Sequence, residues 1–179
     1  NPLSPGDMVE FEKDAYSTAN GKIVCRFDRR NRFYRFNKKK KAVQTVAANV
    51  DGVIVIVSPT SPPFRPRFVD RVLVISEREE IPCTIVLNKC DQTITAEVRG
   101  RLINYEKIGY DVIICSGKTG EGLDGFHEKI QNKTNVLIGQ SGVGKSTLIN
   151  AIAPSINLKT GTISSKYNRG SHTTVYAEL

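Results

Sequence analysis

The sequence contains no long hydrophobic run. Its longest apolar stretches, such as VIVIV at Val53–Val57, have the length of one β-strand, whereas a membrane-spanning helix needs about 20 consecutive apolar residues. The chain begins NPLSPGD, without Met and without the pattern of a secretory signal. With 39% hydrophobic and 25% charged residues among 179, the composition is typical of a globular protein of one or two domains, and we expect no membrane partner.

Cysteine and histidine are too sparse to suggest a metal site. The four cysteines, Cys25, Cys83, Cys90 and Cys115, form no closely spaced pair, and the sequence has two histidines. We therefore expect neither a structural zinc site nor a disulfide framework within this chain. We interpret most of the cysteines as small buried hydrophobic residues in a reducing cytosol, and so expect a cytoplasmic protein.

Acidic residues are scarce in the first part of the chain. Positions 1–49 contain 11 Lys or Arg against five Asp or Glu, a local charge of +6, which leaves +2 of the total +8 for the remainder. Such a basic block indicates a module that binds a polyanion, although a solvated basic face without a ligand is the alternative. Aromatic side chains are interleaved with the cations of this block, and we expect at least half of them to be core: Phe27, Phe33, Tyr34 and Phe36.

Alternation of polar and apolar residues predicts strands in the basic block. DMVEFE, NGKIVCRF and NRFYRF have strand periodicity, and three or more such strands favour a small closed barrel. From Ala48 onward, buried-type strands alternate with amphipathic helices, which predicts a mainly parallel α/β sheet with flanking helices. We therefore expect a small all-β module at 1–47 and an α/β domain at 48–179.

A glycine-rich loop lies between a predicted strand and a predicted helix. NVLIGQSGVGKST matches G-x-x-x-x-G-K-[ST], in which loop N–H groups and the helix N-terminus donate to phosphate oxygens; a glycine-rich turn without a ligand is the alternative. Lys145 would supply a cation to the β- and γ-phosphates, and the Ser146 hydroxyl would bind Mg²⁺. The predicted phosphate-binding residues are Gly139, Gln140, Ser141, Gly142, Val143, Gly144, Lys145, Ser146 and Thr147.

Two further loops follow buried-type strands. NKCD follows CTIVL, and the Asp91 carboxylate can accept both donors of the guanine edge, which adenine does not offer. Asn88 would brace the base and the neighbouring loops, and the stem of Lys89 would lie across the purine. The loop CSGKTGEG, after the strand DVIIC, would add base contacts from Ser116, Gly117 and Lys118. For both loops, an ordinary turn without a ligand is the alternative.

The order of these loops is the reverse of that in the usual GTPase chain, where the phosphate loop precedes the base-reading loops. All three follow the carboxyl ends of predicted parallel strands, so all can line one edge of one sheet, whichever strand comes first. Joining the old termini and cutting elsewhere leaves such a site intact. The sequence therefore predicts a circularly permuted P-loop GTPase domain that binds GTP or GDP with Mg²⁺.

A β-rich N-terminal module followed by NKCD, SGKTGEG, GQSGVGKST and RGSHTT resembles the bacterial ribosome small subunit-dependent GTPase family over nearly the whole chain. The resemblance implies an N-terminal OB-type barrel and GTP hydrolysis during late maturation of the small ribosomal subunit, stimulated by that subunit and its rRNA. It also implies an Asp-x-Pro-Gly loop and a C-terminal zinc-binding domain, neither of which occurs in this sequence. Zn²⁺ is expected only if the full protein carries that domain, and we expect a monomer.

RGSHTT, at 169–174, follows the phosphate-loop helix, where a GTPase places its first switch loop. The family likeness favours Thr173 or Thr174 as a second Mg²⁺ ligand. His172 could position the attacking water as a neutral imidazole, although a solvent-exposed histidine is a serious alternative. The predicted catalytic residues are thus Lys145 and His172.

Three functions stay open from the sequence. The first is an enzyme that hydrolyses GTP, and the second is a guanine-nucleotide-switched rRNA-binding module with little turnover of its own. The third, an ATP-dependent kinase or ATPase, is disfavoured because Asp91 would be left unpaired against adenine.

Overall fold

The computed structural model describes residues 3–13, 21–37, 41–156 and 158, and the backbone of 163–164 and 169–170. Within these ranges it contains an N-terminal group of antiparallel strands and a four-stranded parallel sheet with helices. The expected α/β class with a preceding all-β part is confirmed.

Four strands form the N-terminal part: β1 (Val9–Lys13), β2 (Gly21–Arg26), β3 (Arg32–Asn37) and β4 (Ala42–Ala48). The first three were expected from their alternating patterns, and β4 is an addition. Among the described residues β1 pairs with β2 and β3 with β4, both antiparallel. Two such pairs are consistent with the expected OB-type barrel.

The aromatic side chains of this part divide between core and surface. Phe33 is only 3% exposed and belongs to the hydrophobic core of the α/β part. Phe27 and Phe36 are 53% and 62% exposed, and Tyr34 is half-buried with the Arg32 guanidinium 5.7 Å from its ring centroid. Half of the four aromatics therefore face solvent, and these are candidates for contacts outside the chain.

The parallel sheet has the strand order β7-β6-β5-β8. Every strand and helix expected after Ala48 is confirmed, because buried-type strands and amphipathic helices alternate without ambiguity in this part of the sequence. The elements are β5 (Gly52–Val57), α1 (Pro66–Arg78), β6 (Cys83–Leu87), α2 (Ala96–Lys107), β7 (Asp111–Ile114), α3 (Leu123–Ile130), β8 (Asn135–Gly139) and α4 (Lys145–Ile152), followed by a short antiparallel pair, β9 (Ile163–Ser164) and β10 (Arg169–Gly170).

Strand β5 is buried along its whole length because both faces of the sheet are covered. Val53 and Val55 pack in a core cluster with residues of α1 and α2. Ile54 and Ile56 point to the other face, into a cluster with Phe126 of α3 and residues of α4. Truncation of a buried Phe of this kind to Ala costs about 3–5 kcal/mol of stability.

Residues between β4 and β5 join the two parts of the chain by polar contacts. The Arg30 guanidinium donates to Asp51 Oδ1 at 2.6 Å, and Asp51 Oδ2 accepts from the backbone N–H of Thr134 at 2.7 Å, next to the start of β8. Asn31 exchanges two hydrogen bonds with the backbone of Val50, at 2.9 and 3.0 Å. The guanidinium and the amide hydrogen bonds both hold the pKa of Asp51 below its usual range.

The cysteines differ from the expectation that most are buried. Cys115 is fully buried, Cys83 and Cys90 are half-buried, and Cys25 is exposed on a strand of the N-terminal part. That expectation was wrong for Cys25, because β2 is exposed along most of its length. Across the described ranges, no helix is both long and apolar enough to cross a membrane.

Candidate functional site

Four loops meet at one edge of the sheet because its strands are parallel and in register. Val57 of β5 lies beside Leu87 of β6, which lies beside Ile114 of β7, and Ile56 lies beside Gly139 of β8. The loops that leave these strand ends begin at Ser58, Asn88, Cys115 and Gln140. Three of them are the loops in which the sequence predicted a nucleotide site.

Asn88 connects three of these loops through its side-chain amide. Its Nδ2 donates to the carbonyl of Val143 at 2.7 Å, and its Oδ1 accepts from the N–H of Gly117 at 3.0 Å. The side chain is 1% exposed, so these hydrogen bonds are made away from water, where an unpaired amide group costs about 1–3 kcal/mol. Asn88 thus fixes its own loop and the Gly117 loop against the phosphate loop, which is the loop-bracing part of its expected role.

Lys89 reaches across the site instead of into solvent. Its Nζ donates to the carbonyl of Ser61 at 2.5 Å and to that of Gly142 at 2.6 Å. Burial lowers the pKa of Lys89, while the negative charge of Asp91 opposes this shift. The ammonium therefore bridges the loop after β5 to the phosphate loop, and its stem lies between them.

Ser61, a neighbour that sequence reasoning missed, lies in that loop after β5. SPTSPP contains no nucleotide motif, but it directly follows the carboxyl end of a strand of the parallel sheet, which is the position shared by the other three loops. That position was the available signal.

The exposed carboxylate of Asp91 is held in place by the hydroxyl group of a buried serine. Its Oδ1 accepts from Ser116 Oγ at 2.6 Å, while Ser116 Oγ itself accepts from the N–H groups of Lys118 and Thr119 at 3.3 and 3.2 Å. Ser116 is fully buried, whereas Asp91 is exposed. A carboxylate has about four lone-pair sites, so this arrangement leaves Asp91 able to accept the two donors of a guanine edge.

Two glycines of the phosphate loop are required by the backbone. Gly144 has φ = +91°, and a Cβ there would lie 2.4 Å from Nδ2 of Asn88. A Cβ at Gly139 would lie 2.6 Å from the carbonyl oxygen of Ile56. The loop can therefore approach the sheet edge only because these side chains are absent.

Helix α4 begins at Lys145 with an uncapped N-terminus. Gly144 is the N-cap residue, and no side chain of the described residues caps the helix there. The first N–H groups of a helix have no intrahelical acceptor and carry the positive end of its dipole. With the half-buried residues Gln140 to Gly142 and Ser146 to Thr147 around it, this terminus can receive phosphate oxygens.

The Lys145 ammonium lies over the phosphate loop. Its Nζ donates to the carbonyls of Gly139 at 3.0 Å and Gln140 at 3.1 Å, and burial lowers the pKa of this lysine. A bound phosphate group would supply a negative charge beside this ammonium. The adjacent Ser146 hydroxyl, in the first turn of α4, is an oxygen ligand of the kind that Mg²⁺ uses together with phosphates and water, so the residues present fit a nucleotide-bound Mg²⁺.

Three predicted site residues, His172, Thr173 and Thr174, lie outside the described residues. Within the described residues, no cluster of three or more His, Cys, Asp or Glu side chains could hold a metal ion. The cysteines of the site are not activated, since burial raises the pKa of Cys115 to about 12 and that of Cys90 above its usual range. Their thiols therefore stay protonated near neutral pH.

Comparisons with known proteins agree with this architecture. A family model described as RsgA GTPase matches residues 26–179. The chain is 42% identical over 177 residues to the small ribosomal subunit biogenesis GTPase RsgA of Borrelia recurrentis (strain A1), covering 99% of this chain and 56% of that protein. It is 37% identical over 185 residues to the protein of the same name from Flavobacterium johnsoniae (strain UW101), covering 100% and 57%.

Two solved structures are also similar. YjeQ from Thermotoga maritima matches with a TM-score of 0.68 and 31% identity over 88% of this chain and 54% of that one. YloQ, described as a circularly permuted GTPase, matches with a TM-score of 0.59 and 30% identity over 87% and 52%. The chain spans about half the length of the curated relatives that it matches. Its reversed loop order is thus shared with a known permuted GTPase, and the chain belongs to the RsgA GTPase family.

Proposed function

We propose that the protein hydrolyses GTP to GDP and phosphate during late maturation of the small ribosomal subunit, and that the subunit stimulates this activity. The observation that carries the proposal is Asn88, whose amide ties the base-reading loop to the Gly117 loop and to the phosphate loop. One buried side chain thereby holds the three loops together. The relatives are named small ribosomal subunit biogenesis GTPases, which supports the choice of partner.

In this proposal each loop has a separate part in binding. Asp91 accepts hydrogen bonds from guanine, while the stem of Lys89 lies along the purine face. Lys145 and the N–H groups at the start of α4 hold the β- and γ-phosphates. Ser146 and either Thr173 or Thr174 would hold Mg²⁺, which would neutralise charge on the phosphates.

His172 is proposed to position the attacking water. GTP hydrolysis needs a group that orients this water towards the γ-phosphate, and a neutral imidazole has both an acceptor and a donor nitrogen. Its place in RGSHTT, after the phosphate-loop helix, supports the assignment. Changing His172→Ala should abolish subunit-stimulated turnover and leave GTP affinity intact; undiminished stimulated turnover rejects the role.

Residues 1–47 are proposed to form an rRNA-binding module and residues 48–179 the permuted GTPase domain. The exposed side chains of Phe27 and Phe36 stand among basic residues, and proteins that bind single-stranded nucleic acid combine cations with aromatic stacking surfaces. We also propose that the protein acts as a cytoplasmic monomer. Zn²⁺ is part of the proposal only if the full-length protein carries the family's C-terminal domain.

The decisive experiment measures GTP turnover by the full-length protein with and without purified small ribosomal subunits. We expect subunits to stimulate GTP turnover strongly. In a separate competition assay, unlabelled GTP should displace bound GTP and ATP should not, because Asp91 reads guanine. Nucleotide-dependent subunit binding without stimulated turnover would instead support a nucleotide-switched rRNA-binding module. Equal competition by ATP would contradict the guanine-specific site.

A further inference from the structure

A cleft lined by basic and aromatic side chains lies beside the phosphate loop, at the start of α1. It has a volume of about 460 Å³ and is lined by Phe64, Arg65, Arg67, Phe68, Arg71 and Gln140, together with Pro66. We call this feature the arginine cleft.

The three arginines of the arginine cleft carry uncompensated charge. All three are exposed, and within the described part of the chain none forms an ion pair with a carboxylate. In that part, the one hydrogen bond that their side chains make is from Arg71 Nε to the carbonyl of Arg67, at 3.4 Å. These side chains are therefore not committed to holding the fold.

The helix adds to this positive charge. Helix α1 begins with Pro66 and has no acidic residue in its first turn, although acidic residues there stabilise helices through the helix dipole. Arg65 is its N-cap residue, and no side chain of the described residues caps it. Arginines at this end do not compensate the helix dipole, so the positive potential at the start of α1 is available to an external anion.

The chemistry of the lining favours RNA over an acidic peptide. Guanidinium groups bind phosphates by paired hydrogen bonds, and the half-buried rings of Phe64 and Phe68 offer apolar surface on which an unpaired base can stack. An acidic peptide would satisfy the arginines but would bring no flat ring to the two phenylalanines. A single-stranded RNA segment satisfies both groups.

The arginine cleft also touches the nucleotide site. Gln140 lines the cleft and belongs to the phosphate loop, where its carbonyl accepts from Lys145 Nζ at 3.1 Å. An occupant of the cleft therefore contacts the loop that holds the phosphates.

We propose that the arginine cleft is a second RNA-docking surface, separate from the N-terminal module, that binds a single-stranded segment of small-subunit rRNA against the phosphate loop. The inference rests on the proposed function, since it takes the small ribosomal subunit as the source of the RNA. It assigns Arg67 and Arg71 to phosphate contacts and Phe64 and Phe68 to base stacking.

The test uses the full-length protein with the double change Arg67→Glu and Arg71→Glu. Subunit affinity is measured over a series of salt concentrations, because each lost phosphate contact lowers the slope of log K against log salt by about 1. We expect affinity to fall by roughly tenfold or more, with the slope reduced by about 2. The variant should still bind GTP without subunits, and any loss of GTP affinity should be much smaller than its loss of subunit affinity.

The matched control is Arg99→Glu with Arg101→Glu, two exposed arginines on α2 outside the cleft. It makes the same change in net charge and should alter subunit affinity less than twofold. Equal losses in the two double variants would overturn the proposal, because the effect would then come from net charge alone.

A photo-crosslinking phenylalanine derivative in place of Phe64 identifies the occupant. A cross-link to rRNA supports the proposal, whereas a cross-link to a ribosomal protein overturns it in favour of an acidic protein partner; no subunit-dependent cross-link also overturns it. If the unchanged protein neither binds subunits nor is stimulated by them, the proposed function itself fails. Normal binding by both the unchanged protein and the Arg67/Arg71 variant defeats only the arginine cleft.

Discussion

Asp91 is the residue through which the site would distinguish guanine from other bases. Ser116 Oγ donates one hydrogen bond to Oδ1 of Asp91. The remaining lone pairs of the carboxylate are available to two donors on a purine edge. Replacement by Asn exchanges an acceptor for a donor while keeping the shape of the side chain.

Asp91→Asn should weaken GTP binding and favour xanthosine triphosphate, whose base offers an acceptor where guanine offers a donor. Loss of one hydrogen bond to a charged group costs about 1.5–3 kcal/mol, or roughly ten- to a hundredfold in affinity. Calorimetric titrations with the two nucleotides measure this. A variant that keeps full GTP affinity and ignores xanthosine triphosphate would show that Asp91 does not read the base.

The role of Lys145 in phosphate binding can be tested through the proton uptake that accompanies GTP binding. Burial lowers the pKa of its ammonium in the nucleotide-free protein, and neighbouring phosphates would raise that pKa again. In the pH interval between the two pKa values, binding must take up a proton, so GTP affinity should fall as the pH rises through that interval. Titration in buffers of different ionisation enthalpy measures the protons taken up.

The control for this experiment is Lys145→Arg, because a guanidinium stays charged throughout the accessible pH range. Its binding should show less proton uptake than that of the unchanged protein. Equal uptake in both proteins would place the titrating group elsewhere.

At the scale of elements, the turn from β8 into α4 depends on one backbone conformation. Gly144→Ala should destabilise the fold and weaken nucleotide binding, because φ = +91° is unfavourable for Ala and its Cβ would lie 2.4 Å from the Asn88 amide. Gly100→Ala, in the interior of α2, meets nothing within 4 Å and should stabilise by about 0.5–1 kcal/mol. Chemical denaturation of both variants compares them; a neutral Gly144→Ala would contradict the strained turn.

The helices and strands of the α/β part were predictable because each hydrophobic pattern there fits one type of secondary structure. GVIVIV can be wholly apolar only if both faces of its sheet are covered, and CTIVL has the same character. The position of the loops after such strands then predicted their shared edge. Contacts of long side chains between loops were not predictable in this way. The hydrogen bond from Lys89 Nζ to the Ser61 carbonyl depends on the path of a loop that carries no motif.

At the scale of the whole molecule, the N-terminal part shares core residues and an ion pair with the α/β part. Phe33 lies in the same core cluster as Val53 and Val55, and Arg30 is paired with Asp51. The change of rhythm at Ala48 predicted two parts, but periodicity is a local property and carried no information about their shared core. Tests of RNA binding by this part therefore need the intact protein.

Phe36→Ala should weaken rRNA binding by about 1–3 kcal/mol if its ring stacks on a base. Stability should hardly change, since the side chain is 62% exposed. Val43 lies opposite Phe36 on β4 and is 56% exposed, so Val43→Ala is the matched control. Binding assays with rRNA fragments and thermal unfolding separate the two effects; equal affinities of the two variants would argue against stacking.

The strand order has a consequence for synthesis on the ribosome. Strand β5 lies between β6 and β8, yet β8 starts only at Asn135, long after Val57 has been translated. At roughly 5–20 residues per second, one edge of a wholly apolar strand waits several seconds for its neighbour, and an unpaired edge of this kind is open to pairing with other chains. The order in which the strands are made thus sets an interval in which the nascent chain depends on protection from aggregation.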